Sequence, residues 1–553
     1  MGRVAHGVGQ QRRRPADGAR TAGLRPSRPR SAADGRSASS ERTIFAARTP
    51  KLPSDRALSS PGDAMVRYAD DRASSILGRT IGDDGAHDRP RPRLRGDSRA
   101  VSPGDVFVAL CSGAPARRHI DEALVRGAGA VLAADDVGHP DPRVRRIPDL
   151  LIRIGALASE YTGDPSAHLA VVGVTGTNGK TSTVQLLAQA WTGLGLPAAT
   201  IGTLGAGMHG SLVPTGLTTP GVVEFHELLA DFRRADAAAV AVELSSHALM
   251  QGRVDGARFD VAAFTNLTRD HLDYHPSMDA YGEAKRRILE LPGLSAVAMN
   301  VDDPYVAGLV PPRGLDLVGV STRGAPHAGV RAEAVRLHPS GADFTLVVGR
   351  GRAHISSPLL GRFNVDNLTM TAAILHAQGE PIERIVDALA AVRRIPGRMQ
   401  VVQPYAAGPR VVVDYAHTPD ALRQALAALS PRSGDLIVVF GCTGERDRGK
   451  RPEMAAIAEA GADLVVVTDD DVHGEDGDEI VAEVLAGFRD ASAVRVVRDR
   501  AQAIREAIAA AGAGDTVLIA GMGHEAVVSA SGEPVGTDAT LAADALRART
   551  PAR

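Results

Sequence analysis

The stretch Leu169-Ala170-Val171-Val172-Gly173-Val174-Thr175-Gly176-Thr177-Asn178-Gly179-Lys180-Thr181 decides how this chain is read. Its first six residues form an apolar run of the kind that becomes a buried strand. A Gly-rich turn follows, and an amphipathic helix begins near Lys180. Strand, turn and helix in that order are the context a phosphate-binding loop requires. Gly176 and Gly179 let backbone N–H groups close on an anion, and the helix N-terminus adds the positive end of its dipole. Lys180 can neutralise β- and γ-phosphate charge, and Thr181 can reach Mg²⁺. The loop is not the commonest variant, because Val174 stands where the pattern G-x4-G-K begins with glycine.

Downstream, apolar strands alternate with amphipathic helices to about Pro396. The strands include Ala239-Val240-Ala241-Val242, Val261-Ala262-Ala263-Phe264 and Ala296-Val297-Ala298-Met299. That alternation argues a mostly parallel sheet covered by helices. After Gly397-Arg398 a further unit carries Val411–Val413, Leu436–Phe440, Leu464–Val467 and Val517–Ala520. Upstream, Val106–Leu110 reads as a strand, Ile120–Gly127 as a helix and Ala130–Ala133 as the next strand, a small α/β unit ending near Pro165. The opening residues run Arg12-Arg13-Arg14-Pro15 and continue rich in Ser, Arg, Gly and Pro with no period. Such a segment buries too little apolar area to offset its ordering entropy and reads as disordered. No apolar stretch follows the arginines, so no export signal is read there, and Met65 is an alternative start. The expected architecture is α/β in three domains behind a tail at 1–65. A smaller N-terminal α/β domain spans 66–165, a central P-loop-type domain with a mostly parallel sheet spans 166–397, and a Rossmann-like α/β domain spans 398–553.

Composition bounds the function. The 553 residues suit three or four domains at about 150 residues each. Apolar residues make up 44% and charged residues 23%, enough for real cores. The 63 basic and 65 acidic residues nearly cancel, which argues against a nucleic-acid partner. Aromatics at 3%, with one Trp, disfavour base- or sugar-stacking clefts. Two Cys exclude a disulfide scaffold and a Cys-based zinc or iron–sulfur framework. No apolar run reaches the ~18 residues of a membrane span. The expectation is a cytoplasmic protein without membrane insertion.

The loop Thr175–Thr181 resembles the T-G-T-x-G-K-T loop of the Mur ligase superfamily. Further colinear segments are similar to its MurE-type branch, which adds the third amino acid of the peptidoglycan stem peptide. They are Glu243-Leu244-Ser245-Ser246-His247, Thr265–His275, Ala284-Lys285, Gly361–Asn367, Pro396-Gly397-Arg398-Met399, Asp414–Leu422, Gly441–Pro452 and Gly523-His524-Glu525. The resemblance covers roughly residue 94 to the end. It implies a monomer that uses ATP and Mg²⁺ to join a free amino acid to UDP-N-acetylmuramoyl-L-alanyl-D-glutamate through an acyl phosphate. Such chemistry needs metal ions and cationic side chains to neutralise a triphosphate, a carboxylate and developing oxyanion charge.

The resemblance assigns roles residue by residue. Gly176, Thr177, Asn178, Gly179, Lys180, Thr181 and Ser182 hold the phosphates. Thr181, Glu243 and His271 are metal ligands, and Lys285 joins them after CO₂ converts its amine to a carbamate. Glu243 also ends a strand, where α/β sheets place ligands. Asn364, Arg398 and Asp414 match ATP contacts; a carboxylate ending a strand suits ribose hydroxyls, and a guanidinium fork suits phosphate. Arg398 would act from the hinge, after closure. Thr218, Thr219, Ser245, Gln251 and Arg253 match contacts to the peptide of the UDP substrate. Ser98, within Asp97-Ser98-Arg99, matches the uridine segment together with Pro103-Gly104-Asp105. Arg446, Gly521 and Glu525 match contacts to the incoming amino acid.

The same pocket also departs from the diaminopimelate-adding pattern Asp-Asn-Pro-Arg, whose Arg grips the distal carboxylate. This chain has Asp470-Asp471-Val472-His473, and a His does not offer an always-charged planar fork. Met522 stands where the pattern Gly-Lys-Gly-His-Glu has its lysine. The expectation is therefore a ligase whose added amino acid is diaminopimelate by resemblance. The alternatives are a specialised relative acting on another amino acid or carboxylate, and a non-catalytic nucleotide-binding relative.

Overall fold

The strand Ala170–Thr175 lies inside a ten-stranded sheet, between Val261–Phe264 on one side and Ala239–Glu243 on the other, parallel to both. The computed structural model describes residues 91–402, 408–430, 433–528 and 533–549, all within one unit, Asp70–Arg553. The tail expected over 1–65 lies outside the described residues. Because strand order reverses at Ala170–Thr175, the crevice at its carboxyl end is where an open α/β sheet receives ligands. Trp191, Val184 and Leu368 from the helices Lys180–Gly193 and Arg362–Ala377 cover one face. Phe225, Leu229 and Phe232 from the helix Val222–Arg234 cover the other. Each such side chain contributes about 1.5–3 kcal/mol on burial, and coverage on both faces explains why these strands are apolar runs.

The glycines of the phosphate loop are required by space and by torsion. Gly176 has φ 142° and Gly179 φ 87°. A Cβ on Gly176 would lie 1.9 Å from Thr265 Oγ1, and one on Gly179 would lie 2.5 Å from Asn367 Oδ1.

The sheet is less uniformly parallel than the sequence reading expects. Val330–His338, Gly341–Val348 and Gly351–Ser357 form an antiparallel meander at one edge. Burial alternates along the first and last of these strands, the pattern of a half-exposed sheet, while the middle strand is mostly buried. The helix read over Ile120–Gly127 also begins earlier and spans Gly113–Val125. Pro115 lies in its first turn, where a missing N–H costs nothing.

Four parallel strands, Leu94–Arg95, Val106–Val108, Ala130–Ala134 and Val144–Ile147, make a smaller sheet in sequence order. It is tied to the helix Val222–Arg234. Arg91 Nη1 donates to Glu227 Oε1 at 2.9 Å, Arg93 Nη2 to Asp231 Oδ2 at 2.6 Å, and the Gly96 N–H to Glu224 Oε1 at 2.8 Å.

The third sheet has six strands. Thr516–Ala520 runs parallel between Arg410–Asp414 and Leu436–Phe440, followed outward by Leu464–Val467 and Arg495–Val496. Gln400–Val402 closes the other edge antiparallel. Among the described residues, no helix is long and apolar enough to cross a membrane.

Candidate active site

Residues from the carboxyl ends of the ten-stranded and six-stranded sheets line one cavity of about 730 Å³. Side chains cross between the two sheets at several points. Arg398 Nη2 donates to Thr181 Oγ1 at 3.1 Å, Asn178 Nδ2 to Asp420 Oδ2 at 3.2 Å, and His524 Nε2 lies 3.1 Å from the Thr203 carbonyl.

Glu243, fully buried at the end of its strand, organises the phosphate-loop side. Its carboxylate accepts from Thr181 Oγ1 at 2.9 Å, Thr203 N at 2.9 Å and Thr203 Oγ1 at 3.1 Å. Lys180 Nζ donates to the carbonyls of Gly176 at 3.0 Å and Thr177 at 2.9 Å. Burial lowers its pKa, opposed by Glu243 and Asp270. Lys285 comes from the helix Met278–Arg286 and is 1% exposed. Its Nζ donates to the Gly176 carbonyl at 2.7 Å. Burial, and then the nearby Lys180 ammonium, push its pKa far below the usual lysine range.

His271 lines the same cavity with a left-handed backbone, φ 54°. Its N–H donates to Asp270 Oδ1 at 2.9 Å, and its ring Nε2 lies 3.4 Å from Asp270 Oδ2. Burial pushes its pKa down, against the opposing Asp270 carboxylate and with the Lys180 ammonium adding to the effect, so the imidazole is neutral. Glu243 and Thr181 offer hard oxygen donors of the kind Mg²⁺ takes. That ion is held by one or two carboxylates together with phosphate oxygens and water, not by an all-protein cage. The Glu243 carboxylate beside the Thr181 hydroxyl, at the phosphate loop, fits an ion shared with phosphate oxygens.

Arg398 lies with its guanidinium 4.3 Å from the Tyr415 ring centroid. Asp414 ends its strand, and its Oδ2 accepts from Met399 N at 2.7 Å. Burial raises its pKa to about 6, against that hydrogen bond and Arg398. Arg446, Asp470, Asp471, His473, Gly521, Met522 and Glu525 line the part of the cavity built by the six-stranded sheet. Tyr415 Oη donates to Glu525 Oε1 at 2.8 Å, and burial raises the pKa of Glu525. Asp470 Oδ2 is buried with no hydrogen-bond partner.

The other residues singled out in the sequence divide between the cavity and its surroundings. Thr177, Asn178, Gly179, Ser182, Thr218 and Ser245 line the cavity, whereas Gly176, Lys285, Asn364, Thr219, Gln251, Arg253 and Ser98 do not. Asn364 spends its amide locally, donating to the Leu360 carbonyl just before its helix at 2.8 Å and accepting from Asn367 at 3.1 Å; Asn367 and Asp366 reach the cavity instead. Thr219 donates to the Glu243 carbonyl at 2.6 Å. Arg253 forks onto Gln251 Oε1 at 2.7 and 3.0 Å and donates to the Thr219 carbonyl at 2.8 Å. Ser98 Oγ donates to Glu122 Oε2 at 2.8 Å in the four-stranded unit. Thr203, Asp270, Tyr415 and Lys450 line the cavity and were not singled out. The signal that could have found Thr203 is its place just past the strand Ala198–Gly202.

Two family models match this arrangement: the Mur ligase middle domain over residues 174–375 and the Mur ligase glutamate ligase domain over residues 397–523. The chain belongs to the Mur ligase family. A protein of Xanthomonas campestris pv. campestris named UDP-N-acetylmuramoyl-L-alanyl-D-glutamate--2,6-diaminopimelate ligase is 52% identical over 465 residues, which cover 82% of this chain and 93% of the relative. Its namesake in Coxiella burnetii is 42% identical over 443 residues, 78% of this chain and 90% of its own. A solved structure with that same name superposes with a TM-score of 0.59 at 34% identity, covering 83% of this chain and 96% of the solved one.

Proposed function

We propose that this chain is an ATP-dependent ligase that joins 2,6-diaminopimelate to UDP-N-acetylmuramoyl-L-alanyl-D-glutamate in peptidoglycan precursor synthesis. The observation that carries the reading is 52% identity, over 93% of the relative, to a ligase of that name. A single cavity that gathers a phosphate loop, a buried carboxylate and a separate polar pocket from two sheets supports it.

The substrate carboxylate attacks the γ-phosphorus of ATP, giving an acyl phosphate and releasing ADP. The amine of the incoming amino acid adds to the acyl carbon, loses a proton and expels phosphate, leaving the amide. Lys180 and Arg398 neutralise the phosphates, and Arg398 joins them only when the six-stranded sheet is closed onto the phosphate loop. Glu243 and Thr181 would hold one Mg²⁺ and His271, with the modified Lys285, a second; such ions would add to the neutralisation of phosphate charge. Lys285 carries a carbamate in the working enzyme, as the resemblance implies; its burial and lowered pKa favour the free amine that reacts with CO₂. Asp414 accepts ribose hydroxyls. Ser98, in the unit 66–165, meets the uridine, while Thr218, Thr219, Ser245, Gln251 and Arg253 of the unit 166–397 shape the peptide site. Arg446 takes the carboxylate and Glu525 the ammonium of the amino acid in the unit 398–553. We infer from the resemblance that the chain acts as a monomer, and its nucleotide-linked substrates support a cytoplasmic setting.

The test is phosphate release by the purified full chain with ATP, Mg²⁺, bicarbonate and the UDP-muramoyl dipeptide, each amino acid supplied in turn. Strong, selective release with diaminopimelate is expected, and silence with every amino acid overturns the reading. His473 favours a second reading of the amino acid alone, since it removes the guanidinium that grips a distal carboxylate. A different single responder would establish that one.

A further inference from the structure

Two loops form the amino-acid wall of the cavity, and both hang from adjacent parallel strands. One follows Leu436–Phe440 and carries Arg446; the other follows Leu464–Val467 and carries Asp470, Asp471 and His473. Each loop contains a residue other than glycine in the left-handed region, Glu445 at φ 53° and His473 at φ 48°. Such a conformation is strained for a residue that carries a Cβ and persists only where the surroundings over-determine it.

The surroundings converge on Glu475. Its Oε2 accepts the N–H of Glu445 at 2.9 Å, which fixes the residue immediately before Arg446. Its own N–H donates to the carbonyl of Val472 at 3.0 Å, closing the turn that contains His473. The loops also touch directly, Gly444 N to the Asp471 carbonyl at 2.8 Å. Beneath this junction lies Arg451, whose side chain is 0% exposed. Its guanidinium donates to Glu475 Oε1 and Oε2, each at 2.8 Å, and to Glu483 Oε2 at 2.7 Å. A buried arginine bound end-on to a carboxylate is geometrically exacting. Removing Glu475 leaves the buried Arg451 charge poorly compensated.

We propose that Arg451 and Glu475 are positioning residues for selection of the incoming amino acid, holding Arg446 and His473 in strained loops at the cavity wall without lining the cavity themselves. This rests on reading Arg446 and His473 as contacts of the incoming amino acid in the ligase reaction. The pair acts on amino-acid binding and leaves the ATP and UDP-substrate sites, which are built by other elements, unchanged.

The test is steady-state kinetics of the full chain with Glu475→Gln and Arg451→Lys, with far-UV dichroism and thermal unfolding as checks on folding. Glu475→Gln keeps the side-chain shape, which guards against loss of fold, and puts an amide NH2 where one of the two oxygens that bridge Arg451 and the Glu445 N–H stood. The expected result is an amino-acid KM raised about tenfold, with KM for ATP and for the UDP-muramoyl dipeptide within about twofold and kcat at saturating amino acid largely retained. A purely structural role would instead lower kcat through the active fraction and leave all three KM values alone, which overturns the proposal. Unchanged amino-acid KM in Glu475→Gln overturns it too. Wild-type chain that ligates no amino acid overturns the functional reading, and this proposal with it; ligation by wild type with indifferent variants overturns this proposal alone.

Discussion

Lys180 and Lys285 direct their amine nitrogens at one acceptor, the carbonyl of Gly176, from 3.0 and 2.7 Å. Two ammonium groups on one carbonyl in a buried setting repel each other. Burial and the Lys180 charge together push the pKa of Lys285 far below the usual lysine range. That shift favours the free amine, the form the proposed reaction with CO₂ requires.

Lys285→Ala is expected to cut ligation by at least about a hundredfold, as loss of a preorganised charged group does, while ATP binding measured by calorimetry changes little. Wild-type activity is expected to fall when CO₂ is stripped from the buffer and to return with bicarbonate. Full ligation by Lys285→Ala would remove the carbamate from the mechanism.

Arg269 connects the loop that carries His271 to the loop that carries Arg446. Its Nε and Nη2 donate to Asp447 Oδ2 and Oδ1 at 2.9 and 3.1 Å, and its Nη1 to Glu453 Oε1 at 2.8 Å. Arg269→Asp should weaken the closed arrangement and lower kcat/KM for the amino acid by about tenfold, or about 1.4 kcal/mol. The double variant Arg269→Asp, Asp447→Arg should recover most of that loss in the same assay, because the fork is remade with reversed polarity.

His473 lines the cavity where the diaminopimelate-adding pattern has an arginine. His473→Arg supplies an always-charged planar fork. Its expected effect is a diaminopimelate KM about tenfold lower, with lysine unaffected or worse, read from initial rates with both amino acids. An unchanged ratio would mean that the distal carboxylate is gripped elsewhere.

The clamp under the amino-acid pocket also sets an acid limit. Hydrogen bonds from Arg451, and then from the Glu445 N–H, hold the pKa of Glu475 down to about 2 from its usual 4.5. A depressed folded-state pKa contributes stability that is present above the unfolded value and is lost as pH falls through the folded one. Wild type should therefore exceed Glu475→Gln in stability by a constant margin above about pH 4.5, and the margin should shrink toward pH 2. Denaturant melts of both proteins across that range would measure it.

The sequence by itself determined the phosphate loop, because strand, glycines and helix are all local: Gly176 and Gly179 occupy positive φ with no room for a Cβ. It also determined the paired α/β units, since strands covered on both faces must be apolar runs. The meander Val330–Ser357 was hidden because half-exposed strands alternate and carry no such run. Asn364 could not be told from Asn367 by pattern, because which amide reaches the cavity depends on the rotation of one helix. Only the tertiary structure set Thr203 against Glu243, Arg398 against Thr181 and Arg269 against Asp447, across 40, 217 and 178 positions of chain. Local propensity fixes what each segment becomes. Where two sheets meet is fixed by packing between segments that the sequence holds far apart, and the site lies at that meeting.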